Sequence, residues 1–184
     1  MKGKLRCSLL CEDEEQELLF RPILERLFHQ RPRVEPRRPN GGFTFVLARL
    51  ADAAKYLKQR PKQAVALLVV IDGDEAGFQR RRREIDAKLR AEGFDVKKLA
   101  RIAVCVPSRN VETWELWLCG IRDLDEHTDF KDRFQREVKQ RKIGRRQLAD
   151  SWFDAKQRRA EKETLPALAS GRAEIERLKK LAKD

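Results

Sequence analysis

Short aliphatic runs alternate with helical stripes through the first part of the chain, and each run predicts a strand of a mainly parallel sheet. Leu67, Leu68, Val69, Val70 and Ile71 stand in succession. A continuous run of this kind marks a strand covered on both faces. Leu5 to Cys11 alternates and then runs apolar, which predicts a first strand ending at Glu12. Ala100 to Val106 predicts a further buried strand, closed by Pro107. Between residues 29 and 42 the composition turns to proline, arginine and glycine. The closely spaced prolines predict a loop holding at most a short edge strand around Val34.

Helices fill the intervals. Asp13 is placed to cap the first, with Gln16 three residues on closing a capping box. Leu19, Ile23, Leu24 and Leu27 form its apolar face, and Pro22 predicts a bend or a restart. A second helix, from about Phe43 to Gln59, turns Phe45, Leu47, Leu50, Ala54 and Leu57 inward, with Tyr56 a buried or half-buried aromatic. A third begins at about Phe78 with Ile85 and Leu89 on its stripe, and Glu92 and Gly93 end it. Asn110 is placed to cap a fourth, which packs Val111, Trp114, Trp117, Leu118 and Ile121 inward. The order β-α-(β)-α-β-α-β-α predicts a three-layer α/β domain over residues 1–122.

From about Asp129 the aliphatic runs vanish. Residues 129–184 hold 17 Lys and Arg against 10 acids, or +7 of the net +12 of the whole chain. Phe130, Phe134, Val138, Leu148, Trp152 and Phe153 keep a helical pattern that Gly144, Pro166 and Gly171 punctuate. The pattern predicts two or three basic helices, an extension over 123–184 packed on the α/β domain.

Composition narrows the chemistry. A pI near 9.9 implies attraction to a polyanion, with DNA or RNA the first expectation. No window approaches the run of about 18 apolar residues a membrane helix needs, and the basic start MKGKLR leads into a run too short for a signal peptide. A soluble, cytoplasmic protein without a membrane partner is therefore expected. Two histidines, His29 and His127, leave little material for a histidine-rich metal site or a Ser-His-Asp triad. Cys7, Cys11, Cys105 and Cys119 form no CxxC pair and read as small buried hydrophobes.

The acids carry more. Glu12 ends the first strand, Asp72 and Asp74 follow the aliphatic run, and Glu112 opens the helix beyond a further strand. In open α/β sheets, ligands bind at the carboxyl ends of strands. Two aspartates at i and i+2 can turn toward one ion if Gly73 lets the backbone curl, and carboxylates suit Mg²⁺ or Mn²⁺. Without a cation the cluster is repulsive; with one it suits phosphoryl chemistry. An acidic first helical turn, favoured by the helix dipole, accounts equally for Asp13, Glu14, Glu15 and Glu112. Arg80, Arg81, Arg82 and Arg83 crowd the first turns of the third helix against its dipole, and Arg82 lies on the apolar stripe. The acids at 72 and 74 or a bound phosphate would compensate them; a plain solvated face is the alternative.

Glu12 and the DGDEAG run at 72–77 resemble the Toprim domain shared by topoisomerases, bacterial primases, small ribosomal-RNA maturases and the overcoming-lysogenization-defect nucleases. PSRNVETWELWL at 107–118 is similar to a segment of standalone bacterial Toprim-like proteins, some of them linked to phage defence. The resemblance covers roughly the first 120 residues. It implies a Toprim-like Rossmannoid fold, Glu12 as general acid or base, and Asp72 and Asp74 as Mg²⁺ ligands. Glu112 would be a second-metal or orienting acid, and Arg80 to Arg83 phosphate contacts. The family places glycine after the first glutamate, where this chain has Asp13. Tyr56 inside a domain helix is a poor topoisomerase nucleophile, and neither length nor cysteines suffice for a complete primase. Two expectations follow. One is a Mg²⁺-dependent nuclease hydrolysing phosphodiesters of DNA or RNA. The other is a non-catalytic Toprim-fold subunit that docks to nucleic acid or to a separately encoded ATPase in a defence or repair complex.

Overall fold

Side chains alternate between the faces of the sheet, and the alternation sorts the strands' aliphatics into two cores. In the computed structural model, which describes residues 5–35, 42–95, 98–140, 142–154, 161 and 163–181, four strands lie parallel: β1 (Arg6–Cys11), β2 (Arg33–Val34), β3 (Val65–Val70) and β4 (Ile102–Cys105). Cys7, Leu9, Cys11, Ala66, Leu68, Val70, Ala103 and Cys105 enter one core. Leu10, Leu67, Val69, Ile71, Ile102, Val104 and Val106 enter the other. Burial on both faces is what continuous aliphatic strands require.

The first four helices are α1 (Glu14–Phe28), α2 (Gly42–Gln59), α3 (Gly77–Ala91) and α4 (Val111–Leu118). α2 and α3 cover the second core through Val46, Leu50, Ala54, Leu57, Ile85 and Leu89. α1 and α4 cover the first. The α/β class and the parallel sheet therefore stand as expected. α1 runs unbroken through Pro22. Leu19, Phe20, Ile23 and Leu24 are fully buried on either side of it, and that packing outweighs the roughly 3 kcal/mol a helix-interior proline costs. On α2 the inward position falls to Val46, with Phe45 and Leu47 only half-buried. Tyr56 is 42% exposed, contrary to its expected burial. Its hydroxyl donates to Gln63 Oε1 at 2.9 Å, and the Arg60 guanidinium lies 4.4 Å over its ring, so a surface stack holds it.

The chain beyond residue 122 completes the first core. α5 (Lys131–Phe134) continues into a π-helical turn (Gln135–Lys139), followed by α6 (Arg145–Trp152) and α7 (Pro166–Leu181). Phe134, Val138, Leu148, Trp152, Leu168, Ile175 and Leu178 are buried in the same cluster as β1, β3 and β4. Phe20, Trp114 and Trp152 meet with ring centroids 5.6–6.2 Å apart. All eight residues of α4 are buried, a pattern possible only for a helix covered on every side. α1, α5, the π-helical turn and α6 all pack against α4. Among the described residues, no helix is long and apolar enough to cross a membrane.

α7 rests against β4 at Gly171, where an added β-carbon would stand 2.7 Å from Trp114 Cη2 and 3.4 Å from Cys105 Sγ. Gly171→Ala is expected to destabilise the protein by about 1–3 kcal/mol through overpacking, although alanine is the better helix former by about 1 kcal/mol. Urea denaturation reads the sign: a stabilised variant would show that α7 does not press on the tryptophan.

Candidate functional site

The strand order is β2-β1-β3-β4. From β1 the chain leaves through α1 on one face toward β2, and from β3 it leaves through α3 on the other face toward β4. The carboxyl ends of β1 and β3 therefore flank a topological switch point, the position where open α/β sheets open a crevice. Glu12 follows β1 there and Asp72 follows β3. Cys11 pairs with Val70 in register, so the next residues of both strands meet. The Asp72 amide donates to Glu12 Oε1 at 2.9 Å.

Gln16 holds this junction from beneath. The Asp13 carboxylate accepts from the Gln16 amide at 2.9 Å, which is the expected cap. The return bond is shifted: Gln16 Oε1 accepts from the Glu12 amide at 2.9 Å rather than from the cap residue itself. Its Nε2 is thereby turned toward Asp72, whose charge it partly offsets. Gln16 is fully buried and Asp72 nearly so, and the contact between them is loose: neither Gln16 Nε2 nor Asp72 Oδ1 completes a hydrogen bond of full geometry. α2 closes the other side, since a β-carbon built on Gly42 would stand 3.9 Å from Glu12 Oε2. Its amino end favours the negative charge of that carboxylate.

The turn after Asp72 is shaped by contact with the loop after β4. Gly73 has an ordinary right-handed backbone, φ −74° and ψ −27°, so the expectation that it serves to curl the chain is corrected. A β-carbon there would stand 2.0 Å from the Ser108 carbonyl oxygen; the residue is glycine because two backbones pass too closely for any side chain. The Gly73 amide donates to the Pro107 carbonyl at 2.8 Å and the Asp74 amide to the Arg109 carbonyl at 2.9 Å. The left-handed step falls on Asp74 itself, at φ 49°, a conformation aspartate tolerates better than most residues.

Three of the expected acids share one electrostatic environment. Burial, joined by the charges of Asp74 and Asp13, pushes Glu12 up to about 7, against the pull of the Asp72 amide and Arg81. Burial also raises Asp72 well above the ordinary carboxylate range, reinforced by Asp13, Glu12 and Glu112. Glu112 is raised by burial too, with Lys131 opposing and Asp13 and Glu15 adding, and its Oε2 is buried without a partner. Asp74 stands apart: it is exposed and paired to Arg81 Nη2 at 3.3 Å. Among the described residues, no group of three or more histidine, cysteine or acidic side chains is arranged to hold a metal. The donor set nonetheless fits a hard divalent cation. It is made of carboxylates alone, and the loosely held Asp72 Oδ1 and the crowded charges on Glu12 and Asp72 are what such an ion would satisfy.

The arginine run divides by its contacts. Arg81 Nε donates to the Asp72 carbonyl at 3.1 Å and Nη1 to Glu84 at 3.0 Å, while its guanidinium lies 3.9 Å over the Phe43 ring. Arg82 is committed to the fold: it donates to the Val104 carbonyl at 3.1 Å and pairs with Glu174 of α7. Arg80 and Arg83 are exposed. Asp13, Gln16, Phe43 and Ser108 also belong to the site. The capping-box spacing of Asp13 and Gln16 was the one available signal for that pair, since it sets Gln16 one turn above Glu12.

Compared with known proteins, the chain matches no family model, no curated protein and no solved structure.

A carboxyl group raised by folding contributes stability below its unfolded value and loses it as pH rises through its folded value. For Glu12 that window runs from the ordinary 4.5 to about 7. Glu126, which accepts the amides of Ala167 and Leu168 at the start of α7, is pushed to about 7 by burial and titrates in the same window. Glu12→Gln is therefore expected to remove part of the fall in stability between about pH 5 and about pH 8. Urea midpoints at the two values measure it, and an undiminished fall would mean that Glu12 is not perturbed.

Proposed function

We propose that the chain is a Toprim-type, Mg²⁺-dependent nuclease acting on DNA or RNA. The observation that carries this reading is the pairing of Glu12 with a buried Asp72 whose Oδ1 completes no full hydrogen bond, at the switch point of a parallel sheet. Asp72 and Asp74 would hold the cation, with Glu112 placed as a second-metal or orienting acid. A bound Mg²⁺ would neutralise phosphate charge and lower the pKa of an attacking water.

This chain's own residues supply the rest. Glu12 Oε1 is held by the Asp72 amide, which leaves Oε2 to carry a proton. A carboxyl that titrates at about 7 is matched to proton transfer near neutrality. Gln16 fixes the Glu12 backbone and keeps its amide nitrogen toward Asp72. Arg81 and the exposed Arg80 and Arg83 are placed for phosphate oxygens; Arg82 is excluded by its bonds to β4 and α7.

The second reading, a non-catalytic subunit that binds nucleic acid or a separately encoded ATPase, draws on a different observation. Asp74 is engaged by Arg81, and among the described residues the acids do not close into a three-ligand group. Cleavage separates the two readings. Asp72→Asn and Asp74→Asn are each expected to abolish Mg²⁺-dependent cleavage of single- or double-stranded DNA or RNA. Asp72→Asn should also leave the metal-free fold as stable or more so, because it removes a charge from a repulsive buried site. Unchanged cleavage by both variants would sink the nuclease.

A further inference from the structure

We infer that Arg81 acts as a resident counter-cation that withholds Asp74 from the metal until a phosphate takes the place of Asp74 at the Nη2 end of the guanidinium, so that cation and phosphodiester bind cooperatively. This inference rests on the metal reading given above.

The contacts of Arg81 are unequal. Its side chain is 12% exposed, whereas that of Asp74 is 57% exposed. Nε and Nη1 are held by the Asp72 carbonyl at 3.1 Å and by Glu84 at 3.0 Å, and the plane rests on Phe43. Nη2 reaches Asp74 at 3.3 Å, the longest of the three bonds. The guanidinium is therefore anchored independently of Asp74 and can release it without leaving its place. While the pair persists, Arg81 opposes a divalent cation twice: it occupies the Asp74 carboxylate and sets a positive charge against the Asp72 carbonyl. A phosphate oxygen offers the same fork-shaped donor a stronger partner than one exposed carboxylate. Release of Asp74 would then complete the pair of metal-holding carboxylates begun by Asp72. By linkage, whatever factor the phosphate adds to metal affinity, the metal adds to phosphate affinity.

Manganese binding read by electron paramagnetic resonance tests this without any assay of cleavage. Arg81→Gln is expected to bind Mn²⁺ roughly three- to tenfold more tightly than the wild type, the scale of one ion pair with a buried partner. A short oligodeoxythymidylate or oligouridylate is expected to tighten Mn²⁺ binding by the wild type and to lose that effect in the variant. Phe43→Leu removes the ring under the guanidinium without touching an acid. It should shift Mn²⁺ affinity in the same direction by less, and it keeps the test open if Arg81→Gln does not fold. Equal Mn²⁺ affinity in wild type and variants, or no tightening by either oligonucleotide in the wild type, overturns the inference alone. Failure of every form to bind Mn²⁺ overturns it together with the metal reading.

Discussion

The hydrogen bond from the Asp72 amide to the Glu12 carboxylate joins the ends of the two adjacent central strands, and the surrounding site is built to keep it. It requires β1 and β3 to be neighbours in the register that pairs Cys11 with Val70. It requires α1 to begin immediately, so that Gln16 can turn back onto the Glu12 amide. It also requires the chain after Asp72 to bend away under the loop that follows β4, which only glycine at 73 permits. A one-residue slip between the strands would exchange the faces of every side chain in β1 and separate the two acids. Fold and site thus share one constraint, and a change in register would lose both.

The segment beyond residue 122 bears on the site through charge as much as through packing. Lys139 and Arg145 pair with Glu15 in α1, and Arg145 also reaches the fully buried Glu115 of α4. Arg172 is buried with Glu161, whose carboxylate also accepts from Trp117 Nε1. Arg177 covers carbonyls at the free edge of β4, as Arg82 does from α3. A buried charge left without such a partner would cost several kcal/mol. Part of the basic excess is therefore consumed inside the molecule, where it stabilises the acids of α1 and α4 behind the site. Net charge alone overstates what remains for a polyanion outside; exposed Arg136, Lys142, Arg146 and Lys180 belong to that remainder.

Local pattern was enough for the strands and for the extents of α2 and α3, because aliphatic continuity and helical period report burial directly. It did not suffice where a residue's role depends on which strands are neighbours. Gly73 looked like a flexible joint because its real constraint, the Ser108 carbonyl, lies in a loop more than thirty residues away. Gln16 looked like half of a cap because nothing local says that β3 ends beside it. The four arginines formed a single run in the sequence, yet Arg81 faces the acidic turn and Arg82 the sheet edge, a division set by helical rotation against β4. Tyr56 misled for the opposite reason: an aromatic in an amphipathic helix is ordinarily inward, and here Arg60 and Gln63 hold it at the surface.

The site's electrostatics run against stability, and that opposition is informative. Glu12, Asp72 and Glu112 are all raised, first by burial and then by neighbouring acids, with Asp13 acting on all three. Hydrophobic residues of similar size would fill the same space at lower cost. Helix capping explains Asp13, and dipole compensation covers Glu112 at the start of α4, but neither explains a buried carboxylate oxygen on Asp72 without a full hydrogen bond at the end of a strand. Such strain persists in folds where something outside the chain repays it, and a ligand that binds only the folded state repays it by mass action. A cation would relieve a repulsion of this sign, and carboxylate donors would suit a hard one. Arg81 supplies a single positive charge at the edge of the cluster: it holds the exposed Asp74 and pulls Glu12 down, yet burial still leaves both Glu12 and Asp72 raised.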